Sequence, residues 1–239
     1  MDNAAYLSLS RLSGLRKEMD AVANNLANMT TTGFRREGIV FAEVIRALPI
    51  EGGSVSMTEA RIRRTDLQTG GMERTGGRFD LAIDGEGFFL IGAEEGLRLT
   101  RAGAFRADAA GQLVTAAGET VMDAGGAPVQ LPPDARESLI EADGAVLADG
   151  REVGRVALVN VADTSTLTRM DGVRFNFEGD LEPADGTIAQ GFVEGSNVSP
   201  VAEMSRMIDV HRAYEMGQAL LDREDERVRE AVRTLGRPV

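Results

Sequence analysis

Apolar residues recur in a coiled-coil rhythm at both ends of the chain, and this limits its folds more than any other feature. Near the start, Leu12, Leu15, Met19, Val22, Leu26 and Met29 are spaced 3-4-3-4-3. This is the a/d repeat of a helical seam, narrower than the stripe of an ordinary surface helix. Thr30, Thr31 and Thr32 are weak helix formers, and Gly33 suits the left-handed residue that closes a helix. The pattern predicts a helix over 4–32. Near the end, positions 204, 207, 211, 214, 218, 221, 225, 228, 232 and 235 form a second track. Met204, Met207, Tyr214, Leu221, Val228, Val232 and Leu235 are its apolar or aromatic members. His211, Gln218 and Asp225 interrupt it. Ser199 can cap this helix and Pro200 suits its first turn, while Gly236 and Pro238 end it, which predicts a helix over 200–235.

Between the helices the rhythm changes. Residues 34–80 hold no sustained period and carry Gly-Gly pairs at 52–53, 70–71 and 76–77. They read as an extended connector with short strands. From Leu81 to Gln190, short apolar pieces alternate with Gly turns. LAIDGEGFFLIG has the look of a hairpin, and GAVLADGREVGRVALVNV repeats the design around Asp149-Gly150. The fold class expected is α+β. Long terminal helices form a coiled-coil-like inner domain (1–36 and 191–239), with an extended connector (37–80) and a small antiparallel β domain (81–190) between them.

Composition removes several functions. The 239 residues hold 26 Lys and Arg against 38 Asp and Glu, a net charge of −12 with no basic run, so nucleic acid is not an expected partner. With no Cys, disulfides, thiolate metal sites and Cys nucleophiles are excluded, and an oxidising compartment is tolerated. One histidine leaves no multi-His metal site, and Gly85 and Gly87 lack the third glycine of a dinucleotide loop and the lysine of a P-loop, so no metal, cofactor or small-molecule substrate is expected. No apolar stretch approaches the ~20 residues of a membrane helix. The opening MDNAAYLSLSRLSGLRKEMD lacks a basic leader and apolar block, so any export is expected to use a route that cleaves no leader.

The outer face of the first helix points to its surroundings. Ala21 to Gly33 carries no charge. On the heptad, Asn24, Asn25 and Asn28 fall away from the seam. Amides can be buried if each finds a hydrogen bond, whereas charges would cost several kcal/mol. The helix is therefore surrounded either by copies of itself or by a groove of its own β domain. In the first case the termini gain their full order only when neighbours supply the burial.

Four blocks, in order, resemble one family. ANNLANMTTTGFRRE (23–37) is similar to the N-terminal signature of the bacterial flagellar rod and hook proteins. TDLQTGGMERTGGRFDLAIDGEGFF (65–89) resembles their entry into the β domain, TRAGAFRADAAGQLVTAAG (100–118) the strand-turn-strand that follows, and GFVEGSNVSPVAEMSRMIDVHRAYEMGQALLD (191–222) the start of their C-terminal helix. The opening and the length look most like the proximal-rod members, with a distal-rod sibling as the alternative. Residues 134–190 match nothing quotable.

The resemblance implies a non-enzymatic subunit of the rod that spans the periplasm and carries motor torque to the hook. It implies self-assembly, neighbouring rod subunits and the flagellar type III export apparatus as partners. The expected assembly interface comprises Leu12, Leu15, Met19, Val22, Asn24, Asn25, Leu26, Asn28 and Met29, with Met204, Met207, His211, Tyr214, Leu221 and Val228. Two other classes remain: a hydrolase using the Asp84/Glu86 pair, and a binding module that lays its helices on a foreign partner. Asp-Gly also recurs at 143–144, 149–150, 171–172 and 185–186, so the Asp84 segment reads first as one turn among many. His211 reads as a packing residue rather than a base.

Overall fold

The computed structural model describes residues 2–47, 54–132 and 134–235, with side chains described from Ser8 to Val40 and again from Arg63 onward except at 133 and 231. The Gly-Gly pair at 52–53 lies outside these residues. The order is helix, strands, helix, and every strand pair is antiparallel. The chain divides into two compact units: residues 1–27, 37–66 and 199–239 form the first, and residues 28–36 and 67–198 the second.

In the first unit, α1 (Asp2–Ala27) packs on α2 (Pro200–Leu235) and on both strands of a long hairpin, β1 (Glu37–Ala47) and β2 (Ser54–Thr65). The hairpin register shifts once, between Val40 and Phe41. α2 starts where its cap predicts: the Glu203 N–H donates to Ser199 O at 3.0 Å, closing the first turn over Pro200, while Gly236 and Pro238 lie outside the described residues. α1 ends earlier than its apolar spacing predicts. After Ala27 the chain makes tight turns, with the Thr31 N–H donating to Asn28 O and the Phe34 N–H to Thr31 O. Thr31 Oγ1 also donates to Asn28 Oδ1 at 3.1 Å. Asn and Thr side chains compete in this way for the backbone partners that a helix would use.

The second unit is β. The apolar run of β5 (Phe88–Ala93, following β3, Met72–Arg74, and β4, Leu81–Asp84) explains its centre. Successive side chains of a strand point to opposite faces. Phe89 and Ile91 enter one apolar cluster with Leu81, Ile83, Phe105, Val146 and Ile188. Phe88 and Leu90 enter another with Leu99, Val159, Val161 and Phe175. A strand buried on both faces is apolar throughout, as this one is. Edge-to-face ring pairs, Phe88 with Phe175 and Phe89 with Phe105, mark the two faces.

One local expectation is corrected. LAIDGEGFFLIG is not a hairpin: β4 pairs with the strand Thr187–Gln190, whereas β5 pairs with β6 (Gly96–Thr100) and with strands at Thr120–Val121 and Leu158–Val161. Asp84 to Gly87 carries the chain from one sheet to another, with Gly85 and Gly87 at positive φ. By contrast Asp149-Gly150 is a true two-residue hairpin turn between Ala145–Ala148 and Arg151–Arg155, both residues left-handed at φ 48° and 77°.

Candidate assembly interface

The residues singled out from the sequence fall into three settings. Leu12 and Val22 are buried in the first unit, and Leu15, Met19, Leu26 and Asn28 are half-buried. Met29 and Asn24 are exposed. The buried face of α1 is wider than a coiled-coil seam, because Gly14, Glu18, Ala21 and Asn25 join it. The cause is that α1 meets two surfaces, α2 and the hairpin.

Asn25 was expected on an outer face and is instead fully buried. Its amide pairs twice with the backbone of one residue: the Glu37 N–H donates to Asn25 Oδ1 and Asn25 Nδ2 donates to Glu37 O, each at 2.8 Å. Nδ2 also donates to Glu203 Oε2 at 3.0 Å. One side chain thus ties α1, β1 and α2 together and satisfies a carboxylate that would otherwise be costly to bury. Farther along, Arg206 Nε donates to the nearly buried Glu18 at 2.7 Å.

On α2, the residues turned inward within the chain are Glu203, Met207, Val210, Tyr214, Gly217, Leu221 and Glu224, a 4-3-4-3-4-3 track with Ala213 beside it. The track read from hydropathy shares only Met207, Tyr214 and Leu221 with it up to this point. Met204, His211, Gln218 and Asp225 are exposed, and His211 Nδ1 lies 3.6 Å from Glu215 Oε1 on the same helix. A hydropathy count misses the chain's own track because two members are glutamates and one is glycine. Gly217 is a close-approach point, since a Cβ there would sit 2.7 Å from Leu12 Cδ2. A glycine inside a long helix was the signal that could have revealed it.

Much of α2 remains uncovered. Val201, Met204, Ile208, Met216, Leu220, Val228, Val232 and Leu235 are exposed large apolar residues, Met216 at 68% and Leu235 at 86%. A run of this kind marks an interaction surface rather than a finished exterior.

The TTGFRRE segment enters the second unit and is fixed there by charge. Arg35 and Arg101 share Glu194, at 2.6 and 3.2 Å, and all three are almost fully buried. Glu194 also accepts from the Gly70 N–H at 2.8 Å. Arg101 Nη2 donates to Gly85 O at 2.8 Å, and its guanidinium lies 5.5 Å from the Phe88 ring centre. Burial lowers the Arg101 pKa to about 10 against the raising effect of Glu194, so it stays a cation at neutral pH. Arg169 lies over Phe34 at 4.6 Å and Phe175 at 4.9 Å. Gly33 has φ +70°, and a Cβ there would come 2.3 Å from Ala102 N. Only glycine fits that position. Asp84 and Glu86 are exposed where the chain changes sheets.

Paired terminal helices with an uncovered apolar face, in a chain that also holds a separate β unit, define a structural subunit of an assembly. The matching family models are the description "Flagella basal body rod protein" over residues 6–35, "Flagellar hook protein FlgE/F/G D1 domain" over 82–148 and "Flagellar basal body rod FlgEFG protein C-terminal" over 189–234. The chain is 38% identical to the flagellar basal-body rod protein FlgF of Caulobacter vibrioides and 36% identical to that of Mesorhizobium japonicum, with 99% of each chain covered in both cases. It is 28% identical to the rod protein FlgG of Bacillus subtilis, covering 97% of this chain and 98% of the relative. The chain belongs to the flagellar basal-body rod proteins, in the group named FlgF. It is thus a structural rod protein and not an enzyme. No described helix is long and apolar enough to cross a membrane.

Proposed function

We propose that this chain polymerises through α1 and α2 into the proximal rod, where it helps carry motor torque toward the hook. Residues 1–36 and 191–239 serve as the inner domain, 37–80 as the connector and 81–190 as the outer β domain. Its partners are further copies of itself, neighbouring proximal- and distal-rod subunits, and the flagellar type III export apparatus that delivers it. The interface includes the exposed members of the sequence-derived set, Asn24, Met29, Met204, His211 and Val228. Leu12, Val22 and Asn25 act from inside by holding α1 to α2 and to β1.

The observation that carries this reading is the run of exposed apolar side chains along α2 in a rod-family chain. Burying one such side chain is worth roughly 1.5–3 kcal/mol. Several together supply ample drive for association, and a charge among them would oppose it.

The test is the double substitution Met216→Asp/Leu220→Asp in a host deleted for its own copy, whose motility the wild-type chain restores. Both positions are exposed, so the purified variant keeps its helicity and melting temperature. Rods incorporating the variant, and motility, are lost. Wild-type motility from the folded variant would sink the proposal.

A further inference from the structure

The surface of the α1–α2 pair carries a groove and, farther along the same helix, an exposed ridge of the kind that would fill it. The groove has a volume of about 570 Å³. Leu9, Leu12, Tyr214 and Leu221 form its apolar lining, with Arg16 and Asp222 among its polar residues. Leu9 is 60% exposed there. The ridge is Val228, Val232 and Leu235, of which Val232 is 65% exposed. These three fall two heptads after Tyr214, Gln218 and Leu221, which line the groove. They are therefore on the same face of α2, with Val228 and Leu235 continuing the chain's internal seam and Val232 flanking it.

The ridge cannot fill the groove of its own chain. α2 is one unbroken helix from Pro200 to Leu235, and the two features lie along it on one face. The occupant must come from outside. Ridge in groove can either close reciprocally across a two-fold, which stops at two copies, or repeat in one direction as an open filament, and a rod subunit requires the second. We infer that the groove between α1 and α2 receives the Val228–Leu235 ridge of a second copy of this chain. The neighbour is displaced by two heptads along α2, roughly 21 Å at 1.5 Å per residue. This inference rests on the rod reading, and it adds which surface of a copy meets which surface of the next.

The absence of cysteine makes the contact directly readable, since an introduced thiol is the only one in the chain. Leu9→Cys and Leu235→Cys are expressed separately and together in the same deleted host, and isolated basal bodies are treated with a mild oxidant. The same mixtures are oxidised as concentrated purified protein and scored in the same way. Both positions are exposed, so the fold is retained. The expected result is a covalent dimer when the two single variants are mixed and none from either alone. A chain carrying both substitutions yields a ladder of oligomers, and a doubly linked dimer with nothing larger would reveal reciprocal two-fold closure and overturn the inference. Dimers from Leu235→Cys alone would reveal ridge-on-ridge closure and overturn the inference. So would the lack of any crosslink in either preparation. If crosslinking fails while Met216→Asp/Leu220→Asp still abolishes incorporation, the rod reading stands and this contact alone falls.

Discussion

At the scale of single residues, two buried polar knots decide local geometry. Asn25 makes three hydrogen bonds, two to the Glu37 backbone and one to Glu203. Asn25→Ala removes three buried hydrogen bonds, so the first unit should lose about 2–4 kcal/mol. Urea denaturation followed by helicity checks this. In the second unit, Glu194→Ala leaves Arg35 and Arg101 buried without their shared anion, and a loss of about 3–5 kcal/mol is expected. The pH dependence of this knot has a definite sign. Burial lowers the folded pKa of Arg101 to about 10, below the ordinary guanidinium value, so the unfolded chain binds more protons only between those two values. Through this group stability rises with pH in that window and is flat below it, and urea midpoints for the second unit at pH 6 and pH 8.5 should show no Arg101-dependent change. Neither knot was legible beforehand. Their members, 25 with 37 and 203, and 35 with 101 and 194, are far apart in sequence, and hydropathy patterning carries no record of which distant polar groups meet.

At the scale of elements, legibility follows local chemistry. The start of α2 is readable because its cap lies in the adjacent residues, Ser199 and Pro200. The end of α1 is not, because the competition between the Asn28 and Thr31 side chains and the helix ladder leaves the apolar spacing unbroken through Met29. The Asp149-Gly150 hairpin is readable, since both residues must adopt positive φ, whereas Asp84-Gly85 offers the same letters at a crossing between sheets. Gly217 gives the sharpest test of helix pairing. Ala there gains about 1 kcal/mol in helix propensity, and its Cβ asks only the end of the Leu12 side chain to shift. Gly217→Ala should therefore be nearly neutral in thermal stability. Gly217→Val adds branched bulk that Leu12 cannot clear, and a loss of about 1–3 kcal/mol is expected. Equal stability of the two variants would mean that α1 and α2 do not approach closely there.

At the scale of the whole molecule, the two units differ in how much of their burial the chain supplies by itself. The second unit closes two apolar clusters around a strand buried on both faces. The first leaves eight large apolar side chains of α2 exposed. Local opening free energies follow buried contacts, so the first unit should unfold at lower urea than the second in the isolated protein. The chain contains its own reporters. It has no Trp, and both tyrosines, Tyr6 and Tyr214, belong to the first unit, whereas eight of its nine phenylalanines belong to the second, Phe41 being the exception. Tyrosine emission and helical ellipticity should change together in an early transition, and the near-ultraviolet phenylalanine bands in a later one. Glu194→Ala should move only the later transition and Asn25→Ala only the earlier. In assembled rods, where neighbours cover α2, amide exchange along Val228–Leu235 should slow markedly relative to the free chain. A single transition seen by all probes, unaltered in shape by either substitution, would show that the units fold as one, and that the chain covers α2 well enough without siblings.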